Sequence, residues 1–237
     1  MKLRLFKRVP LIWQRIHFFL NIPRSYRWLM ILAGLLTVFT VSSELEISDE
    51  LLATINKKYG EQAVTRIEQW QKLMKTGKNL SEQEKLRQVN DFFNQRIDFV
   101  DDVYLWGLND YWATPLELLA QGAGDCEDYS IAKYFTLIEL GVSEDKIRIT
   151  YVKALKLNQA HMVLTYFSTP KAIPLVLDNL IPQIKSATKR KDLLPVYSFN
   201  GSGLWLAKSR GTGKRVGGAS RLNMWTELKQ RMLKNTF

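Results

Sequence analysis

Gly122-Ala123-Gly124-Asp125-Cys126-Glu127-Asp128-Tyr129 runs directly into Ser130-Ile131-Ala132-Lys133-Tyr134-Phe135-Thr136-Leu137-Ile138-Glu139-Leu140, which Gly141 stops. A glycine-rich turn feeding a helix-like run puts Cys126 at a helix start. A thiol there sits near the positive end of the helix dipole, which favours the thiolate. The thiolate is the form that attacks carbonyls. Cys126 is the only cysteine in the chain, so an internal disulfide is not its purpose. Free cysteine is also among the most buried residue types, and an apolar core position is the competing reading. Three acidic neighbours and two flanking glycines argue against that core position.

Upstream of this turn the chain reads helical. Ser48 is placed to cap a helix, with Asp49 and Glu50 in its first turn and Leu51, Leu52 and Ile55 on one face. Ala63, Val64, Ile67, Trp70 and Met74 keep a helical period up to Gly77. Ser81-Glu82-Gln83-Glu84 is a capping box, followed by a stripe of Leu86, Val89, Phe93 and Ile97. The stretch from Phe99 to Ala113 has no period and crowds carboxylates with aromatics, including Asp101, Asp102, Trp106, Asp110 and Trp112. It reads equally as packing or as the lining of a cleft. Thr114-Pro115 then opens a short helix, with proline in its permitted first turn.

Downstream of Gly141 the period changes. Ile147, Ile149 and Tyr151 alternate with Lys146, Arg148, Thr150 and Val152, and strand-like runs follow at His161–Phe167 and Pro174–Asp178. The intervening loops are too short for crossover helices, which predicts an antiparallel meander. Helices first and strands later predict an α+β fold, with the helices packed on one face of the sheet.

Composition supports one globular domain plus appendages: 237 residues, 46% hydrophobic and 11% aromatic. The formal net charge is +11, but residues 1–43 hold seven Lys or Arg and no acid, which leaves +4 on the remainder. Trp28 to Val41 follows this basic lead as fourteen uncharged residues. That is short for a spanning helix, which needs about 20, and suits a signal-peptide core. Val41-Ser42-Ser43 offers small residues for cleavage ahead of Glu44. An uncleaved anchor, helped by the amphipathic stretch Val9 to Leu20, is the alternative. Either way the positive flank directs residues 44–237 outward, to the periplasm. With the basic balance spent on targeting, nucleic-acid binding loses its main support. A second basic run, Lys208 to Arg221, is interleaved with glycines and reads as a solvated surface loop. It lacks the spacing of a phosphate-binding loop.

A nucleophilic thiol needs a base, and the base needs an orienting partner. His17 lies in the export segment, so His161 is the one histidine of the mature chain. Asp178 follows Leu175-Val176-Leu177, and a carboxylate there is costly to bury without a partner. In adjacent antiparallel strands Asp178 would lie beside His161 and hold its ring. The order is then Cys126 on a helix start, His161 on one strand and Asp178 on the next.

This arrangement resembles the bacterial transglutaminase-like cysteine proteinase family, in particular its LapG-type periplasmic proteases. The likeness is carried by Glu84–Asn90 with Phe92-Phe93-Asn94, Trp106-Gly107-Leu108-Asn109-Asp110-Tyr111-Trp112-Ala113-Thr114-Pro115 and Gly124-Asp125-Cys126-Glu127-Asp128-Tyr129. It continues through Ala160-His161-Met162-Val163-Leu164, Leu175–Leu180 and Arg190-Lys191-Asp192-Leu193-Leu194-Pro195-Val196-Tyr197. The resemblance implies a papain-like core and a catalytic triad of Cys126, His161 and Asp178. It also implies a calcium site beside the nucleophile, carried by Asp125, Glu127 and Asp128. Calcium is a hard cation that takes carboxylate and carbonyl oxygens, so the chemistry is compatible. Acids also favour any helix amino terminus, which is the plainer account of the same residues.

The resemblance further implies cleavage of a large biofilm adhesin at an Ala-Ala-type site near its amino terminus. It implies, too, sequestration by an inner-membrane LapD-type cyclic di-GMP receptor. In the proteolytic mechanism the Cys126 backbone N–H supplies one oxyanion donor, with a second expected from the Trp106–Trp112 loop. Two other functions remain open from the sequence. One is a transglutaminase, in which a lysine amine resolves the acyl-enzyme. The other is a non-enzymatic exported binding module.

Overall fold

A computed structural model describes residues 47–207 and 213–234. The basic lead, the apolar segment 28–41 and the cleavage or anchor question lie outside the described residues. Among those described, no helix is long and apolar enough to cross a membrane.

The helical half forms as the sequence predicts. Helix α1 (Asp49–Tyr59) is capped by Ser48, whose hydroxyl accepts the Leu51 N–H at 3.3 Å. Helix α2 (Glu61–Gly77) buries Ala63, Ile67, Trp70 and Met74. Helix α3 (Glu82–Arg96) starts on the capping box: Ser81 Oγ accepts the Glu84 N–H at 3.3 Å, and Glu84 Oε2 accepts the Ser81 N–H at 3.0 Å. Its apolar stripe, with Val89 and Phe93, is fully buried.

Strand β1 (Asp98–Phe99) follows, then helix α4 (Asp102–Leu105) and helix α5 (Pro115–Gln121). Strand β2 (Ala123–Gly124) pairs in parallel with β1, Asp98 against Ala123 and Phe99 against Gly124. Helix α6 (Cys126–Glu139) carries the cysteine in its first position.

The sheet is antiparallel, as expected, but larger than a simple meander. Strands β3 (Ile147–Ala154), β4 (Gln159–Tyr166), β5 (Leu175–Leu177) and β6 (Lys185–Ser186) follow one another on one side. Strand β7 (Leu193–Phe199) then crosses to the free edge of β3, and β8 (Leu204–Leu206) and β9 (Lys214–Gly217) extend the sheet outward, giving the order β6-β5-β4-β3-β7-β8-β9. The basic glycine-rich stretch expected as a loop is therefore partly strand. Lys214 to Gly217 pairs with β8, which satisfies backbone groups a solvated loop would leave to water.

A second departure concerns the faces of β3. Ile147 and Ile149 enter the main core as predicted, but Arg148, Thr150 and Val152 on the opposite face are buried as well. The segment from Ala187 to Leu193 folds over that side, and Val152, Val163, Val176, Ala187 and Leu193 form a smaller apolar cluster there. The main core lies between the helices and the first face. Helix α7 (Asn223–Lys234) closes it, with Trp225 stacked on Phe135 and set edge-on to Tyr134 and Phe199.

Candidate active site

The turn before α6 is built by close packing. Helix α5 ends at Gly122, which adopts a left-handed φ of 75° that a side chain would strain. Arg66 of α2 reaches over it and donates to the carbonyls of Leu119 (2.7 Å) and Ala120 (3.0 Å). The β1–β2 pairing then aims the chain at Asp125, the residue capping α6. The Cys126 N–H lies in the first turn, where backbone donors have no intrahelical acceptor and an oxyanion can be received.

Cys126 is half-buried, and its thiol donates to Glu127 Oε2 at 3.0 Å. Burial pushes the thiol well above its usual pKa, and the charges of Glu127 and Asp125 push the same way. The Met162 backbone amide acts in the opposite sense and lowers it. Strand β5 covers only Leu164–Tyr166 of β4, so the first half of β4 has no strand on that side. The thiol thus meets β4 at Met162, the residue next to His161.

His161 is buried, and its Nε2 is hydrogen-bonded to Asp178 Oδ1 at 2.8 Å. Asp178 sits one residue past the end of β5 rather than within it. Its carboxylate is fully engaged: Oδ1 also accepts the Leu180 N–H at 3.1 Å, and Oδ2 accepts Arg190 Nη2 at 2.6 Å. Burial alone would raise the Asp178 carboxyl. The His161 and Arg190 interactions outweigh it and hold the pKa below the usual carboxylate value. Arg190 is itself buried and shared with Asp192, to which Nη2 donates at 2.8 Å. Sequence reasoning missed Arg190 as the second partner of Asp178, because only the path of the chain after β5 brings it there.

The acids around the thiol gather more carboxylates than the sequence reading assigned. Asp125 and Glu127 flank Cys126, Asp128 is fully buried one residue on, Asp102 arrives from the first position of α4, and Asp110 from the loop between α4 and α5. Carboxylate oxygens of Asp102, Asp125 and Asp128 lie within 4.8 Å of one another, as do those of Asp102, Asp110 and Glu127. Asp128 is anchored by the Ala113 N–H at 2.7 Å and the Asp125 N–H at 3.4 Å, and Asp102 by the Tyr111 N–H. Burial, reinforced by mutual repulsion, pushes Asp102 up to about 6 and Asp125 up to about 10, and raises Asp128 and Asp110. Asp102 Oδ1 and Asp125 Oδ1 are buried with no hydrogen-bond partner. Converging hard oxygens, two of them orphaned, fit a divalent cation. The signal for Asp102 and Asp110 was the crowding of carboxylates in an aperiodic loop, which left packing and cleft lining equally open.

The profile of the bacterial transglutaminase-like cysteine proteinases matches residues 55–203. The chain belongs to this family. EGTA-treated LapG of Legionella pneumophila is 43% identical and superposes with a TM-score of 0.68, over 78% of this chain and 98% of that one. Calcium-bound LapG of the same organism is 42% identical with a TM-score of 0.66, over 78% of this chain and 99% of that one. No curated protein matches. The α+β, transglutaminase-like fold and cysteine peptidase activity follow from this membership, and the binding-module reading falls.

Proposed function

We propose that this cysteine peptidase is a calcium-dependent periplasmic endopeptidase with Cys126 as nucleophile, His161 as base and Asp178 as the group that orients the base. Its substrate is a large surface adhesin, cut near the amino terminus at an Ala-Ala-type site to release biofilm cells. The observation that carries the mechanism is the buried His161–Asp178 hydrogen bond, one residue along β4 from the Met162 amide that acts on the Cys126 thiol.

The chemistry follows from those positions. His161 takes the thiol proton and the sulfur attacks the scissile carbonyl. The developing oxyanion meets the Cys126 N–H at the start of α6. The imidazolium, stabilised by Asp178, returns its proton to the leaving amine, and His161 then activates water to hydrolyse the acyl-enzyme. Asp102, Asp110, Asp125, Glu127 and Asp128 would hold calcium. When bound, calcium supplies positive charge that reverses the acids' effect on the neighbouring thiol. The resemblance to LapG-type proteases extends the proposal to regulation by an inner-membrane LapD-type receptor that sequesters the protease when cyclic di-GMP is high.

The test is incubation of the protein with an adhesin amino-terminal fragment containing an Ala-Ala pair, in calcium or in EGTA, alongside Cys126→Ala. Calcium-dependent cleavage lost in Cys126→Ala is expected. Cleavage by Cys126→Ala would overturn the mechanism, and a cross-linked product in place of fragments would replace hydrolysis by acyl transfer.

A further inference from the structure

The triad leaves the buried charge of Lys133 unused. Lys133 lies two turns along α6 from Cys126 (about 3.6 residues per turn), on the same stripe of the helix. It is 1% exposed. Among the described residues no carboxylate pairs with it directly. Its Nζ donates to Asn90 Oδ1 at 3.0 Å and to Asn94 Oδ1 at 2.7 Å, both one turn apart on α3. Each asparagine then spends its NH₂ on one short segment of chain. Asn94 Nδ2 donates to the Asp178 carbonyl at 2.8 Å, and Asn90 Nδ2 to the Pro182 carbonyl at 2.7 Å.

The chemistry of this set is directional. A lysine can only donate while charged, so it fixes which end of each amide faces α6. The opposite end of each amide is then an N–H pair, and it faces carbonyls that need donors. Were either amide turned over, oxygen would face oxygen at Asp178 or Pro182, and Nζ would face NH₂. The neutral amine still has two N–H bonds, enough for both amides, so the arrangement holds in either protonation state.

We propose that Lys133, Asn94 and Asn90 form a positioning clamp that ties the helix carrying Cys126 to the segment carrying Asp178, and so fixes His161 against the thiol. These are positioning residues, since none touches a reacting atom. The inference rests on the assignment of Cys126, His161 and Asp178 given above. Burial lowers the Lys133 pKa to about 7 against the opposing charges of Asp178 and Asp91, so this group is held in place at an electrostatic cost. A lysine serving only as filler would be replaced at a gain by an apolar residue.

The test uses Lys133→Met and Asn94→Asp in the full chain with calcium present. Asn94→Asp keeps an acceptor for Lys133 and removes the N–H that reaches Asp178. It is the milder change, because the buried Lys133 keeps a partner, and it carries the test if Lys133→Met does not fold. Cleavage of the adhesin fragment should show kcat reduced roughly 10- to 100-fold with KM within about twofold, the mark of misplaced reacting groups. A second readout needs no substrate. With His17 replaced by Gln, the downfield proton resonance of the His161 imidazole reports its bond to Asp178. It should be lost to exchange with water in Asn94→Asp. Folded variants with kcat within twofold of the parent and an unchanged imidazole resonance would overturn the clamp. Cleavage by a Cys126→Ala control would instead overturn the triad assignment, so the two failures are separable.

Discussion

At the scale of single residues the site is decided by what each buried charge touches. Both oxygens of Asp178 are engaged: His161 and Leu180 share Oδ1, and Arg190 takes Oδ2. Asp178→Asn must therefore present an NH₂ to either His161 or Arg190. Facing His161, it leaves the ring in the wrong tautomer, and facing Arg190, it sets donor against donor. We expect kcat to fall on the order of 10²- to 10⁴-fold, measured on the adhesin fragment, with KM little changed. A loss under tenfold would remove Asp178 from the orienting role. Lys133 makes a different prediction, through protons. Its native pKa of about 7 lies below the unfolded value near 10.4, so between these limits the unfolded chain binds more protons. Stability from this group thus rises as pH rises from about 7 towards 10, and is flat below 7, where both states are protonated. Urea titrations at pH 7 and 9 should show this gain, about 2 to 3 kcal/mol, missing from Lys133→Met relative to the parent. Equal pH dependence in the two proteins would refute it. Asp178 was legible in the sequence because a carboxylate after three apolar residues demands a partner. Arg190 was not, since nothing local distinguishes a basic residue that turns inward from one that stays in water.

At the scale of elements, each functional side chain is placed by a contact between pieces of chain. The β1–β2 pairing brings the end of α3 beside the cysteine turn, and Gly124 lies where no side chain fits. A Cβ there would come 2.5 Å from Leu118 Cδ1 and 2.6 Å from Asp128 Oδ2. Both neighbours are fully buried, so neither can swing aside cheaply. Gly124→Ala should cost about 1 to 3 kcal/mol in stability and should displace the Asp128 carboxylate from the acidic cluster. Calorimetric titration with calcium is expected to show weaker binding than the parent. Unchanged affinity would mean that Asp128 is not a ligand. Helix α7 acts on the same loop from the other side: Arg231 donates to the Trp112 carbonyl and lies 4.6 Å from the Tyr111 ring centroid. Helices α1 to α3 were readable because caps and stripes are local signals. The burial of the opposite face of β3 was not readable, because its cover comes from Ala187–Leu193, a segment with no period of its own.

At the scale of the whole molecule, the site joins the two halves that the sequence keeps apart. The thiol and the acids belong to the helical half, while His161 and Asp178 belong to the sheet. Five carboxylates around one helix start are tolerable in the unfolded chain, where water and distance separate them. Folding gathers them, strips water from Asp102, Asp125 and Asp128, and raises their pKa values for want of a counter-charge. A divalent cation that binds this gathered set has no equal site in the unfolded chain, so its binding adds directly to folding stability. With calcium at 100 times its Kd the gain is about 2.7 kcal/mol. For a chain of this size each kcal/mol moves Tm by roughly 2 to 4 °C, so an upward shift of about 5 to 11 °C between EGTA and saturating calcium is expected. Asp125→Ala removes an orphaned oxygen and the cost of burying that carboxyl among other acids. It should melt higher than the parent in EGTA and respond little to calcium. This crossing of the two melting curves separates a cation site from a general salt effect, which would move both proteins alike. Parallel shifts in parent and variant would place calcium elsewhere, and the acids around Cys126 would then be no more than the residues any helix start favours.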